Sequence, residues 1–141
     1  MHYHKEKWLK FISEQKDSKK VAKIVLLQGD KILFLISNGG RFDGQIDLPG
    51  GHIQYNEDMA TGLQREVREE TGLVINNFHE TYKSGHITFF WGELPNENIK
   101  LSNEHSAYEL KSLDEIFEKG YTINEIFIEA AEIALKQAIK A

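Results

Sequence analysis

The sequence predicts an α/β or α+β sandwich, one sheet covered by helices on both faces. Three observations carry this. Short apolar runs of strand length stand before and after a long amphipathic stretch, two further helical segments close the chain, and 141 residues suit one compact domain. The domain is expected to span residues 20–141, preceded by an N-terminal helical segment over 1–19.

The elements follow in order. Trp8, Leu9, Phe11 and Ile12 fall at helical spacing, which predicts a short amphipathic helix over 5–15. Two strands are expected at 21–27 and 31–36, joined by Gln28-Gly29-Asp30 as a hairpin turn. Asn38-Gly39-Gly40 and Asp43-Gly44 then mark a loop, and Leu48-Pro49-Gly50-Gly51 a second tight turn. A helix is expected from about Asp58 to Thr71, capped by Asn56 and stopped by Gly72 in the left-handed conformation. Strands over 73–82, 86–93 and 105–111 come next. Ser112 with Glu115, and Thr122 with Glu125, have capping-box spacing and open helices near 113–118 and 123–140. In the last helix Ile123, Phe127, Ala130, Ala131, Ala134 and Ala138 form one apolar stripe.

Composition narrows the function classes. Apolar residues make up 40% and charged residues 28%, the balance of an ordinary globular protein. Seventeen Lys and Arg against twenty-two Asp and Glu give a net charge of −5, which disfavours a protein bound chiefly to a nucleic-acid backbone. Residues 1–23 carry seven lysines against three acids; they read as a solvated helix face or as an electrostatic arm for RNA or a second subunit. Cysteine is absent, which removes disulfides, thiolate metal sites and cysteine nucleophiles. No apolar run approaches the length of a membrane span or a signal peptide, so a cytoplasmic enzyme is the expected setting.

The helix near 58–71 breaks its own pattern. Met59, Leu63 and Val67 define its apolar stripe, yet Glu66 and Glu70 lie on the same side, roughly 40° apart, with Glu69 flanking them. Like charges one turn apart repel by about 0.2–0.5 kcal/mol per pair even when exposed. Two readings follow. The carboxylates converge on a hard divalent cation, or they belong to a charged helix paired with Arg65, Arg68 and solvent.

Residues 51–73, GHIQYNEDMATGLQREVREETGL, resemble the Nudix box of the Nudix hydrolase superfamily. Gly51, Glu57, Arg65, Glu66, Val67, Glu69, Glu70, Gly72 and Leu73 meet every position of that signature. The likeness in element order extends over roughly residues 20–140, and it implies an α/β/α sandwich with a mixed sheet. It also implies hydrolysis of the diphosphate linkage in a nucleoside diphosphate joined to another group. Glu66, Glu69 and Glu70 would be the metal-binding carboxylates, with the main-chain carbonyl of Gly50. Mg²⁺, with Mn²⁺ as a substitute, is the implied cofactor. Glu57 and Arg65 would pair to brace the loop against the helix, with Gly51 and Gly72 structural in the motif. The general base would be Glu66 or Glu104, the latter in the Glu104-His105 pair that resembles one before a late strand of many family members.

Other residues are candidates for substrate contact. His52 follows the Gly-Gly turn, Tyr55 stands at the same mouth, and Arg41 and Phe42 could clamp a phosphate and stack on a base. Phe89, Phe90 and Trp91 read as core. The expected partner is a small nucleotide diphosphate bound by a monomer or homodimer, with no membrane association. Competing readings are a 5′-end RNA pyrophosphohydrolase and a non-catalytic ligand sensor of the same fold; intact box glutamates disfavour the sensor. A Nudix-fold isomerase that uses cysteine in its chemistry is strongly disfavoured by the absence of cysteine.

Overall fold

Strands β1 (Val21–Gln28) and β2 (Lys31–Ser37) pair antiparallel only beside their tight turn, through Leu27 with Ile32 and Gln28 with Lys31. Gly29 takes the left-handed conformation, φ +63°, that this two-residue connection needs. Beyond the turn the strands splay, and residues 46–52 enter the gap. There β3 (Ile46–Asp47) pairs with β2 and β4 (Gly50–His52) pairs with β1. The computed structural model describes residues 20–38 and 44–141. The expected helix over 5–15 and the candidates Arg41 and Phe42 lie outside the described residues.

The sheet grows outward from this splayed pair. On the far side of β2 runs β7 (His105–Lys111), antiparallel; on the far side of β1 runs β6 (Ile87–Glu93), parallel, followed by β5 (Phe78–Ser84), antiparallel. Among the described residues the result is a mixed seven-stranded sheet. Helix α1 (Met59–Thr71) covers one face, and α2 (Leu113–Glu118) with α3 (Glu125–Lys140) the other.

Period-two alternation divides the strands between two cores. Ala22, Ile24, Leu26, Leu33 and Leu35 face α1 and bury Leu63 and Val67. Val25, Leu27, Ile32, Phe34 and Phe89 face α3 and bury Ala130, Ala131 and Ala134, whose small side chains let that helix lie close to the sheet. Because β1 and β2 are covered on both faces, they read as nearly unbroken apolar runs. Phe89, Phe90 and Trp91 are all buried. Among the described residues no helix is long and apolar enough to cross a membrane.

Three boundaries differ from expectation. Helix α1 is capped by Asp58, whose carboxylate accepts from Thr61 N at 2.8 Å, and not by Asn56. The preceding Glu57 is held by Arg65 and by the Gln54 N–H, so helical geometry begins only after it. Asn124, and not Thr122, caps α3. Residues 73–77 are not strand: Leu73 and Ile75 alternate because they pack beneath α1, where Gln64 Nε2 donates to the Ile75 carbonyl at 2.8 Å. The Ser112–Glu115 capping box is present in both directions, and Gly72 closes α1 at φ +76°.

Candidate active site

The wedge of residues 46–52 brings main chain to the carboxylates of α1. Gly50 sits at φ +131°, and a Cβ there would strike the main chain of Ala22 and Lys23, so only glycine fits. Its N–H donates to Oε1 of Glu70 at 2.8 Å. At Gly51 a Cβ would lie 2.5 Å from Oε2 of Glu66, so the second glycine makes room for a side chain instead.

The wheel position of each glutamate decides its environment. Glu70 points down the sheet side of α1 and is 4% exposed. Burial pushes its carboxyl up to about 7, against the opposing pull of Lys23 and of the Gly50 N–H. Glu66 is half-buried; desolvation raises its carboxyl, and Arg65 Nη1, at 3.0 Å, restrains the rise. Glu69 stands on the opposite flank of Glu66 with its side chain 57% exposed, and it meets Arg65 Nη1 at 3.2 Å.

Arg65 is a hub. Its Nη2 donates to Glu57 Oε1 at 2.6 Å and to the His52 carbonyl at 3.0 Å, and its Nε donates to Glu57 Oε2 at 3.1 Å. This fork ties the loop before α1, the wedge and the helix together, and it holds the Glu57 carboxyl below its ordinary value.

Glu104 arrives from the other end of the domain on a pinned loop. Lys100 N donates to the Thr71 carbonyl at 2.8 Å and Ser102 N to the Glu70 carbonyl at 3.1 Å, which anchors the loop to the end of α1. Asn38 N donates to the Glu104 carbonyl at 2.9 Å, and Asn38 Nδ2 to that of Asn103 at 3.1 Å, which anchors it to the end of β2. A carboxylate oxygen of Glu104, one of Glu70 and a ring nitrogen of His105 lie within 4.8 Å of one another.

A cleft of about 510 Å³ opens over these groups, lined by Gly50, Gly51, His52, Glu66, Glu70, Glu104 and His105 together with Lys23 and Asp47. Lys23 Nζ donates to Asp47 Oδ1 at 2.9 Å and to the carbonyls of Leu48 at 3.1 Å and Gly50 at 3.3 Å. Asp47 Oδ2 meets His105 Nε2 at 3.1 Å. Burial works against the Asp47 carboxylate, but His105 and Lys23 outweigh it and lower its pKa. A larger hollow of about 670 Å³ beside Gln28, Trp91 and the end of α3 has no such convergence of carboxylates.

Of the residues singled out from sequence, Gly50, Gly51, His52, Glu66, Glu70 and Glu104 meet in the cleft. Glu69, Tyr55, Glu57, Arg65 and Gly72 are not among its lining residues. Lys23, Asp47 and His105 carried no predicted role. The signal for Lys23 is a lone charge inside the apolar run VAKIVLL; that for Asp47 is its place just before Leu48-Pro49-Gly50-Gly51.

A fold with helices on both faces of a splayed mixed sheet, and glutamates of one helix facing a Gly-Gly turn, defines a class of domain. The NUDIX domain model matches residues 17–131, and the chain belongs to the NUDIX family. It is 33% identical over 66 residues to the mouse oxidized purine nucleoside triphosphate hydrolase, a match covering 47% of this chain and 40% of that protein. It is 34% identical over 50 residues to the ADP-ribose pyrophosphatase of Methanocaldococcus jannaschii, covering 36% of this chain and 30% of that protein. The chain thus spans well under half the length of either relative. The crystal structure of a MutT NUDIX hydrolase from Burkholderia pseudomallei superposes with a TM-score of 0.71 at 16% identity, over 80% of this chain and 95% of that one, a likeness of fold.

Proposed function

We propose that the chain is a divalent-metal-dependent pyrophosphohydrolase, cleaving the diphosphate linkage of a nucleoside diphosphate joined to another group. The products are a nucleoside monophosphate and the phosphorylated partner group. The observation that supports this reading is the convergence of the Glu66, Glu70 and Glu104 carboxylates on one cleft floored by the Gly50-Gly51 turn. The donor set suits a hard cation, since three carboxylates and the Gly50 carbonyl are all oxygen ligands. A divalent cation, Mg²⁺ or Mn²⁺, would be held by Glu66, Glu70, Glu104 and Gly50, with Glu69 nearby on the same helix. Bound there, it neutralises diphosphate charge and lowers the pKa of water.

The side chains divide the remaining work. Glu66, its basicity raised by burial, takes the proton from the attacking water, and Glu104 is the alternative acceptor. Arg65 fixes the Glu66 rotamer through Nη1 while its other donors hold Glu57 and the wedge. Gly50 and Gly51 let the turn pack directly against β1 and the Glu66 carboxylate, which sets its main chain at the floor of the cleft. The acidic cleft becomes attractive to a polyanion only once cations are loaded.

A panel with Mg²⁺ or Mn²⁺ tests the reading: nucleoside triphosphates, oxidised nucleotides, ADP-ribose, nucleotide sugars, dinucleoside polyphosphates and 5′-triphosphate RNA. Turnover of a small nucleotide is expected. Turnover of RNA alone would favour the RNA 5′-end reading, and no turnover with no metal binding by calorimetry would reject the enzyme.

A further inference from the structure

Among the described residues one buried side-chain polar atom has no hydrogen-bond partner. The His105 side chain is 3% exposed, its Nε2 meets Asp47 Oδ2 at 3.1 Å, and its Nδ1 makes no hydrogen bond. Leaving such an atom unsatisfied costs about 1–3 kcal/mol in an interior. The environment does not relieve it by chance: Asp47 is fixed in turn by Lys23 Nζ at 2.9 Å, so the imidazole is clamped through one nitrogen only. When Nε2–H donates to a carboxylate, the other nitrogen of a neutral ring presents a lone pair. A carboxylate–histidine pair of this kind is the usual support of a histidine that ligates a metal. A ring nitrogen of His105 stands within 4.8 Å of carboxylate oxygens of both Glu70 and Glu104, two of the proposed metal ligands.

We propose that His105 supplies a nitrogen donor, Nδ1, to the metal set of this cleft, oriented by Asp47 and Lys23, and that the site therefore favours a first-row transition cation such as Mn²⁺ over Mg²⁺. The proposal rests on the hydrolase reading above. Mg²⁺ keeps a shell of oxygens, whereas affinity for a nitrogen donor begins at Mn²⁺ and rises along the first-row series, so an imidazole shifts selectivity away from Mg²⁺ without changing the carboxylates. Lys23, Asp47 and His105 come from β1, β3 and β7, and they meet only because β1 and β2 splay around the wedge.

The test is pulsed electron paramagnetic resonance of Mn²⁺ bound to the full chain, with histidine carrying ¹⁴N or ¹⁵N, beside calorimetric titrations with Mn²⁺ and Mg²⁺. A histidine nitrogen coupling is expected, surviving His52→Gln, which removes the other imidazole lining the cleft, and vanishing in His105→Gln. In His105→Gln the ratio of Mn²⁺ to Mg²⁺ affinity should fall about tenfold, and Asp47→Asn should weaken Mn²⁺ binding about tenfold or more. Mn²⁺ binding with hydrolysis but no nitrogen coupling overturns the His105 assignment and leaves the hydrolase intact. Loss of the coupling in His52→Gln overturns it equally. Failure of the wild-type chain to bind either cation overturns both readings. The wild-type coupling and the Asp47→Asn titration keep the assignment open to rejection even where His105→Gln fails to fold.

Discussion

The main-chain N–H of Gly50 donates to Oε1 of Glu70 at 2.8 Å, joining the wedge between β1 and β2 to the last turn of helix α1. One buried carboxylate thus serves as a structural acceptor and a proposed metal ligand. Its environment favours the neutral form, and a bound cation would favour the charged one. The competition makes stability depend on both pH and metal.

Without metal, Glu70 should make the fold less stable as pH rises. A glutamate in the unfolded chain ionises near 4.5, whereas the folded one keeps its proton to about 7. Its effect is therefore absent below pH 4.5, grows between 4.5 and 7 as only the unfolded chain ionises, and is complete above 7. The full effect is on the order of 3 kcal/mol. Urea titrations in EDTA at pH 5 and pH 8 should show this loss in the wild type and a flattened profile in Glu70→Gln. Identical profiles would contradict the burial assigned to Glu70.

The two glycines of the turn should fail differently. Gly50→Ala sets a Cβ into the main chain of Ala22 and Lys23 at a φ that alanine rarely adopts, and should cost more than about 3 kcal/mol. Gly51→Ala meets only the far end of Glu66, so it should destabilise by about 1 kcal/mol or less while displacing that carboxylate. Chemical denaturation beside kcat separates them: Gly51→Ala is expected to be folded and slow. A folded, active Gly50→Ala would refute the close approach.

Arg65→Lys should cost about 2 kcal/mol, because an ammonium cannot bridge Glu57, Glu66 and the His52 carbonyl as the guanidinium fork does. Loss of the tether on Glu66 should also lower kcat more than it raises KM. Thermal denaturation and steady-state kinetics on the same preparation check both.

Glu66→Gln should lower kcat by about 10²–10⁴ and remove the acid limb of the pH–rate profile. Glu104→Gln, on an exposed loop residue, should mainly weaken metal affinity. If Glu104→Gln alone removes the acid limb, the base is Glu104.

Local signals explain what could be read in advance. The 113–118 helix matches at both ends because its capping box, Ser112 with Glu115, is written within four residues. β5 begins at Phe78 and not at Leu73, because Leu73 and Ile75 alternate for the helix above them and not for a neighbouring strand. The carboxylate face of α1 was legible from a wheel, but Glu69 lies about 60° from Glu66 on the side away from Glu70, enough to leave the cleft. Lys23, Asp47 and His105 could not be joined in advance, since their meeting depends on pairings between strands far apart in the chain.

The parting of β1 and β2 has a consequence for cooperativity. Residues 46–52 complete the hydrogen bonding that the two strands cannot give each other, and the same residues carry the turn facing Glu66 and Glu70. Withdrawal of the wedge would open the sheet and dismantle the cleft in one event. Ligand occupancy should therefore appear as slowed amide exchange at Lys23, Ile24 and Leu35, deep in the sheet, as well as at the residues that touch it.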